Sequence, residues 1–125
     1  MLNLSQKYDT IRVVNDQFWS PTYTYDLARL LADIILTKKY GVYHAANRGI
    51  CSWYEFACAI FQEARIPITV VPVTTEEYGA KAKRPANSRM NLEKLTANGF
   101  EQLPPWQDAL KRYVEALNME SRRDL

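Results

Sequence analysis

The chain has 125 residues, 47% of them hydrophobic and 24% charged, and sixteen basic against fourteen acidic side chains leave a net charge of +2. That length fits one domain spanning residues 1–125, the composition excludes a disordered chain, and the charge bias is too small to favour nucleic acid or an anionic membrane surface. The apolar runs fall well short of the ~20 residues of a membrane helix, and the first residues lack the apolar core of a secretory signal, so the expected compartment is the cytoplasm.

Ile11 to Val14 is β-branched and apolar and ends at Asn15-Asp16, which predicts a buried strand. Residues 17–24, with Ser20-Pro21-Thr22, read as a loop. From Tyr25 to Leu36 apolar side chains fall at 27, 28, 30, 31, 34 and 35, a helical period with a wide apolar face. Thr24 is its expected N-cap, Asp26 a favourable first-turn acid, and Gly41 its close. Val42 to Ala46 reads as a second short strand and Asn47-Arg48-Gly49 as a turn. Ser52-Trp53-Tyr54-Glu55 is a capping box. The helix it opens carries Trp53, Phe56, Ala57, Ile60 and Phe61 on one face and ends before Pro67.

Ile68 to Val73 is the third predicted strand, and Pro72 inside it points to an edge. A short helical turn and a loop cover residues 74–86. Asn91 is expected to cap a helix from Leu92 to Ala97, stopped at Asn98-Gly99. Pro104-Pro105 opens the last helix, with Trp106, Leu110, Tyr113, Val114 and Leu117 at helical spacing, and the tail from Asn118 is expected to fray. Alternating strands and helices give an α/β or α+β class, with few short strands and about four helices.

Cys58 falls within an apolar helical pattern and is expected to be buried; Cys51, ahead of a helix start, is expected to be partly exposed. Their spacing matches no zinc signature. His44 is the single histidine, which excludes a histidine-rich metal site. It reads as a structural residue at a strand end or as a general base. No acidic cluster marks a metal site. The four glycines, at 41, 49, 79 and 99, form neither a dinucleotide-binding G-x-G-x-x-G nor a phosphate loop. None of the eight tyrosines is followed four residues later by lysine, and no G-x-S-x-G elbow is present. No catalytic, cofactor-binding or metal-binding residue is therefore assigned, and the residues alone do not make a complete enzyme.

Four stretches carry a resemblance. Val13-Val14-Asn15-Asp16-Gln17-Phe18-Trp19-Ser20-Pro21-Thr22-Tyr23-Thr24-Tyr25-Asp26-Leu27-Ala28 resembles a segment of the dTDP-4-dehydrorhamnose reductases, a family of extended short-chain dehydrogenases/reductases. Tyr43-His44-Ala45-Ala46-Asn47 with Ser52-Trp53-Tyr54-Glu55-Phe56-Ala57 is similar to the part that follows. Arg84-Pro85-Ala86-Asn87-Ser88-Arg89-Met90 resembles the family's R-P-x-N-S-x-L stretch, and Leu103-Pro104-Pro105-Trp106 its C-terminal helix. Trp19 is a departure, standing where the family has glycine.

The resemblance covers the C-terminal, substrate-binding portion. It implies the corresponding part of a Rossmann-like α/β fold, with the NADP-binding Rossmann half, its glycine-rich loop and its Tyr/Lys pair absent from this chain as a fragment or truncated product. In the family the whole enzyme uses NADPH to reduce dTDP-4-dehydro-L-rhamnose to dTDP-L-rhamnose for cell-surface polysaccharide. The implied partners are a dTDP-sugar and the missing half. The alternative is a non-catalytic, self-associating module that pairs through exposed strand edges into a homo-oligomer.

A diphosphate favours Arg forks and Lys point charges. Lys81, Lys83, Arg84 and Arg89 cluster around one proline loop, and Arg84 is the first candidate for the diphosphate, with Arg89 second; a solvated basic loop is the other reading. Gln17, Ser20 and Thr22 lie on a strand-to-helix loop beyond a strand's carboxyl end, where α/β sheets bind ligands. They are candidate nucleotide or sugar contacts, or simply turn residues. Asp26 and Glu55 read as helix-start residues, and Trp53, Phe56, Phe61 and Trp106 as packing residues.

Overall fold

The computed structural model describes residues 1–123, and six helices and four short strands lie among them. The elements in order are α1 (Leu2–Ser5), β1 (Thr10–Val14), β2 (Phe18–Trp19), α2 (Thr24–Ile35), β3 (Cys51–Ser52), α3 (Trp53–Ala64), β4 (Thr69–Val73), α4 (Thr75–Tyr78), α5 (Glu93–Ala97) and α6 (Trp106–Arg123). α1 and α4 are single turns, so the four longer helices are the ones the periodicity predicts. α6 continues through Asn118 to Arg123 rather than fraying there; Asp124 and Leu125 lie outside the described residues.

β1 and β4 pair in parallel, from Thr10 opposite Thr69 to Val14 opposite Val73. The crossover between them includes α3, whose Ala57 and Phe61 pack with Ile11 and Val13 of β1 in one core cluster. Pro72 is tolerated because each strand of a two-stranded sheet has a free edge. β2 and β3 form a second, antiparallel pair, Phe18 opposite Ser52 and Trp19 opposite Cys51.

The predicted capping box is present in full. Ser52 Oγ accepts from the Glu55 N–H at 3.1 Å, and the Ser52 N–H donates to Glu55 Oε2 at 2.8 Å. Ser52 Oγ also donates to Asn15 Oδ1 at 2.7 Å, which ties the start of α3 to the end of β1. Thr74 and Glu77 repeat the device at α4. The carboxylate of Glu77 is held below its ordinary range, chiefly by the Thr74 N–H.

Several expectations are corrected. Val42–Ala46 joins no sheet, because among the described residues no strand lies beside it. Thr24 is the first helical residue of α2, not its cap; the N-cap is Tyr23, whose own N–H donates to Asn47 Oδ1 at 2.7 Å. The cysteines exchange environments. Cys51 is fully buried against Trp106, Leu110 and Val114, while Cys58 is half-buried. Burial pushes the Cys51 thiol up to about 12.

The end of the Ser20–Tyr23 loop is clamped by one buried network. Asp26, only 3% exposed, accepts both arms of the Arg112 fork, at 2.8 and 2.7 Å. Asn47, completely buried, donates to Asp26 Oδ2 at 2.8 Å and to the Pro104 carbonyl at 3.0 Å. Its Oδ1 takes the Tyr23 N–H, so every donor and the acceptor of that amide are used. The network joins α2, the Asn47 turn and α6. Gly49, two residues on, has φ +92° and lies where a Cβ would sit 3.0 Å from Trp106 Cδ1, so that turn requires glycine.

Arg112 holds the Asp26 carboxyl below its ordinary value. The stability this linkage contributes is present above the unfolded value of ~3.9 and is lost as pH falls below it. Asp16 and Glu77 are shifted in the same sense. Melting temperature is therefore expected to drop steeply as pH is lowered from about 5 to 3, and Asp26→Asn should flatten that dependence. Arg112→Met strands the buried carboxylate and should cost about 3 kcal/mol, the lower end for a broken buried pair because Arg112 is partly solvated. A thermal melt at pH 7 within a degree or two of the parent would show that the pair contributes nothing.

Candidate functional site

The proline loop and the loop after β1 are brought together by a short ladder. The Phe18 N–H donates to the Ala86 carbonyl at 2.9 Å, the Ser88 N–H donates to the Phe18 carbonyl at 3.0 Å, and Phe18 bridges Asn87 in parallel. Pairing β2 to the Arg84-Pro85-Ala86-Asn87-Ser88 stretch delivers Arg84 to Gln17, sixty-seven residues away in sequence. Both line two cavities, of about 300 and 120 Å³, and Trp53 is a wall of each.

Gln17 is buried, and its Nε2 donates to Thr75 Oγ1 at 3.0 Å. Asp16 beside it accepts the Thr75 hydroxyl at 2.6 Å and the Thr75 N–H at 2.9 and 3.0 Å. Those bonds, the hydroxyl first, hold the Asp16 carboxyl below its usual range. Asp16 thus fastens the start of α4 and turns Gln17 into the cavity wall. Arg84 is exposed, and among the described residues no acceptor is paired with its guanidinium.

The other candidate residues are placed elsewhere. Ser20 Oγ donates to the Gly49 carbonyl at 2.7 Å. Thr22 lines a separate cavity of about 250 Å³, walled by Trp19, Phe56, Trp106 and Tyr113. Arg89 turns back on its own loop, donating from Nε to Asn87 Oδ1 at 2.7 Å. Of the five candidates, Gln17 and Arg84 share a cavity; Ser20, Thr22 and Arg89 do not join them.

The larger cavity also brings in Arg12 and Tyr78, which the sequence reading did not single out. Arg12 had a legible signal: it is the polar residue between Ile11 and Val13 on a strand, and so lies on the opposite face. Its Nη2 donates to the Glu77 carbonyl at 3.2 Å. Trp53 packs on the α3 core as expected and also stacks on Trp19, with ring centroids 4.3 Å apart and planes at 25°. Phe56 meets Trp19 edge-on at 5.6 Å. Trp19 is therefore packed into the aromatic wall, and it lines the smaller cavity beside Gln17 and Arg84. What the arrangement offers is a cationic fork, an amide and an aromatic wall around one concavity, groups that suit an anionic ligand.

The architecture is a mixed α/β fold that gathers a cationic, an amide and an aromatic side chain around one concavity. The chain matches the RmlD substrate binding domain family over residues 1–119, and it belongs to that family. It is 43% identical over 115 residues to the spore coat polysaccharide biosynthesis protein SpsK of Bacillus subtilis, covering 92% of this chain and 40% of the relative. Among solved structures, a dTDP-4-dehydrorhamnose reductase from Bacillus anthracis in complex with NADP matches with a TM-score of 0.87 and 44% identity, over 91% of this chain and 41% of that one. A dTDP-4-dehydrorhamnose reductase from Clostridium acetobutylicum matches with a TM-score of 0.90 and 40% identity, over 94% and 42%. The fold is thus the C-terminal part of a Rossmann-like extended short-chain dehydrogenase/reductase, and the chain spans about 40% of the length of the relatives it matches.

Replacing Trp19 by glycine removes the stack on Trp53 and the edge contact with Phe56. Trp19→Gly is expected to cost about 3 kcal/mol, as large aromatic truncations do, and to alter the Trp53 fluorescence. An unchanged melting temperature and emission maximum would place the indole outside the packed wall.

Proposed function

We propose that this chain holds the nucleotide-sugar substrate of a dTDP-4-dehydrorhamnose reductase, the enzyme that reduces dTDP-4-dehydro-L-rhamnose to dTDP-L-rhamnose with NADPH. Family membership supports the reading, as do the names of its relatives. The observation that carries it is the unpaired Arg84 guanidinium facing the same concavity as Gln17 and Trp53. Arg84 grips the diphosphate, since its planar fork matches two phosphate oxygens at once. Gln17 keeps an amide oxygen for a ligand N–H or hydroxyl, with its nitrogen spent on Thr75. Trp53 supplies an apolar face for the base or sugar ring. Ser20, Thr22 and Arg89 shape the two loops that carry these groups: Ser20 through Gly49, Arg89 through Asn87.

The four glycines form no pyrophosphate loop. Gly79 closes α4 and Gly99 follows α5, while Gly41 and Gly49 sit in turns packed against Lys94 and Trp106. None lies in a strand–turn–helix that cradles a pyrophosphate, and no hydride step is assigned to these side chains. What this chain contributes is orientation: a clamped diphosphate fixes where the sugar ring lies relative to a hydride donor.

Titrating the chain with dTDP-rhamnose, followed by amide nitrogen–proton NMR, should shift resonances in residues 16–22 and 81–89. Arg84→Ala should weaken binding by about tenfold or more while leaving the melting temperature unchanged, and Arg84→Lys should recover only part of it. Wild-type affinity in Arg84→Ala would remove Arg84 from the site. A spectrum indifferent to the nucleotide sugar would overturn the reading.

A further inference from the structure

Ring contacts fix the Trp19 indole between two cavities. It stacks on Trp53, with centroids 4.3 Å apart. Phe56 meets it edge-on at 5.6 Å, and Phe56 in turn meets Trp106 at 5.7 Å. Trp53 belongs to the wall of the cavity of about 120 Å³ beside Arg84 and Gln17. Phe56 and Trp106 belong to the wall of the cavity of about 250 Å³, which Leu110 and Tyr113 of α6 also line. Among the described residues, Trp19 is the one residue common to both walls.

The two cavities differ in chemistry. One carries a guanidinium and an amide; the other is walled chiefly by aromatic and aliphatic side chains and suits an apolar group. At about 120 Å³ the first is smaller than the ~150 Å³ cavity that takes up a benzene molecule, so it admits hydroxyl and methyl groups but not an aryl ring. Joined to the second, it would admit one. Rings alone hold the indole in place: Trp19 Nε1 is buried, and no acceptor is paired with it among the described residues. An unpaired buried donor costs stability, and a phenylalanine would pack on Trp53 and Phe56 without that cost. What tryptophan adds over phenylalanine is size, and size is what keeps the two cavities apart.

Given the function proposed above, on which this rests, we propose that Trp19 is a specificity-determining residue of the nucleotide-sugar site. Its indole is the partition that stops the Arg84 cavity short, so the site takes a nucleotide sugar bearing small substituents and rejects one bearing an aryl group beside Trp19. Discrimination by filled space works through exclusion of the wrong ligand. Removing the filler therefore does more than weaken selectivity: an apolar ring that reaches the opened cavity gains by its burial, and the preference turns over. An indole that served packing alone would, when removed, loosen every ligand alike and leave their ratio unchanged.

The test measures affinity by calorimetry for dTDP-rhamnose and two analogues, one with a benzoylated amine on the sugar and one with a benzyl group in place of the thymine methyl. The unaltered chain should bind both analogues at least about tenfold more weakly than dTDP-rhamnose. In Trp19→Ala at least one analogue should gain about tenfold or more relative to dTDP-rhamnose, and its binding should shift the amide resonances of Leu110 and Tyr113, which line the second cavity. Trp19→Phe keeps an aromatic ring on Trp53 and leaves no donor unpaired, so it should stay folded and show a smaller gain of the same sign; it decides the matter if Trp19→Ala does not fold. Analogues that bind the unaltered chain as well as dTDP-rhamnose does overturn the proposal. So does a selectivity ratio that neither variant changes, or a gain that leaves Leu110 and Tyr113 unshifted. A chain that binds dTDP-rhamnose but whose variants keep its selectivity sinks the partition alone; a chain indifferent to all three ligands sinks the substrate reading beneath it.

Discussion

The Asp26 carboxylate, buried between α2 and α6, is the constraint on which the rest of the molecule depends. A charge taken out of water must be repaid by partners of ideal geometry, and Asp26 has them: both arms of the Arg112 fork and the amide of Asn47. Because the carboxylate and its partners come from three distant stretches, satisfying one charge brings the start of α2, the turn after Ala46 and the last helix into a single arrangement. Asn47 then passes the constraint on to the Tyr23 N–H, where the loop following β2 enters α2. The ion pair is worth more as a specifier of that arrangement than as a net source of stability, since buried pairs largely repay their own desolvation.

From this anchor the site follows through backbone. β2 is only two residues long, yet it is paired on both sides, with Cys51 and Ser52 and with the Ala86–Ser88 stretch. A loop rich in exposed basic residues is thereby held against the end of β1, and a guanidinium without a partner of its own is set over a concavity beside a buried amide. In the proposed function, backbone already paired around a free cationic fork lowers the cost of ordering the site when a diphosphate binds. The aromatic wall of Trp19, Trp53 and Phe56 stiffens the same region from behind.

The apolar surface is unevenly covered. The clusters around Phe61, Leu95 and Trp106 are covered, but the outer side of α2 and the Val42–Ala46 segment are left with apolar surface and free backbone groups.

Local chemistry was enough to reveal much of this. The capping box at Ser52 and Glu55 is satisfied within four residues, and the apolar period of α3 and α6 and the β-branched run of β1 are written in neighbouring residues, so the sequence alone revealed these elements, although β1 finds its ladder in distant β4. Arg84 and Gln17 were legible as candidates because their motifs resemble a known family, but nothing local says that they meet. That depends on the Phe18 ladder, a contact across nearly seventy residues. The exchange of the two cysteines has the same origin: the strand pairing of Cys51 with Trp19 and the packing of α6 bury it, and neither can be read from its neighbours. Val42–Ala46 has a strand's alternation but no strand's hydrogen bonds, because a ladder is a property of two segments and only tertiary structure decides whether the second is there. Thr24 failed as a cap for the complementary reason, since a distant Asn47 holds the preceding N–H. The sequence by itself determined the elements whose signals, caps and apolar periods, lie in neighbouring residues; the tertiary structure decided the site, because its groups converge only through pairings made far apart in the chain.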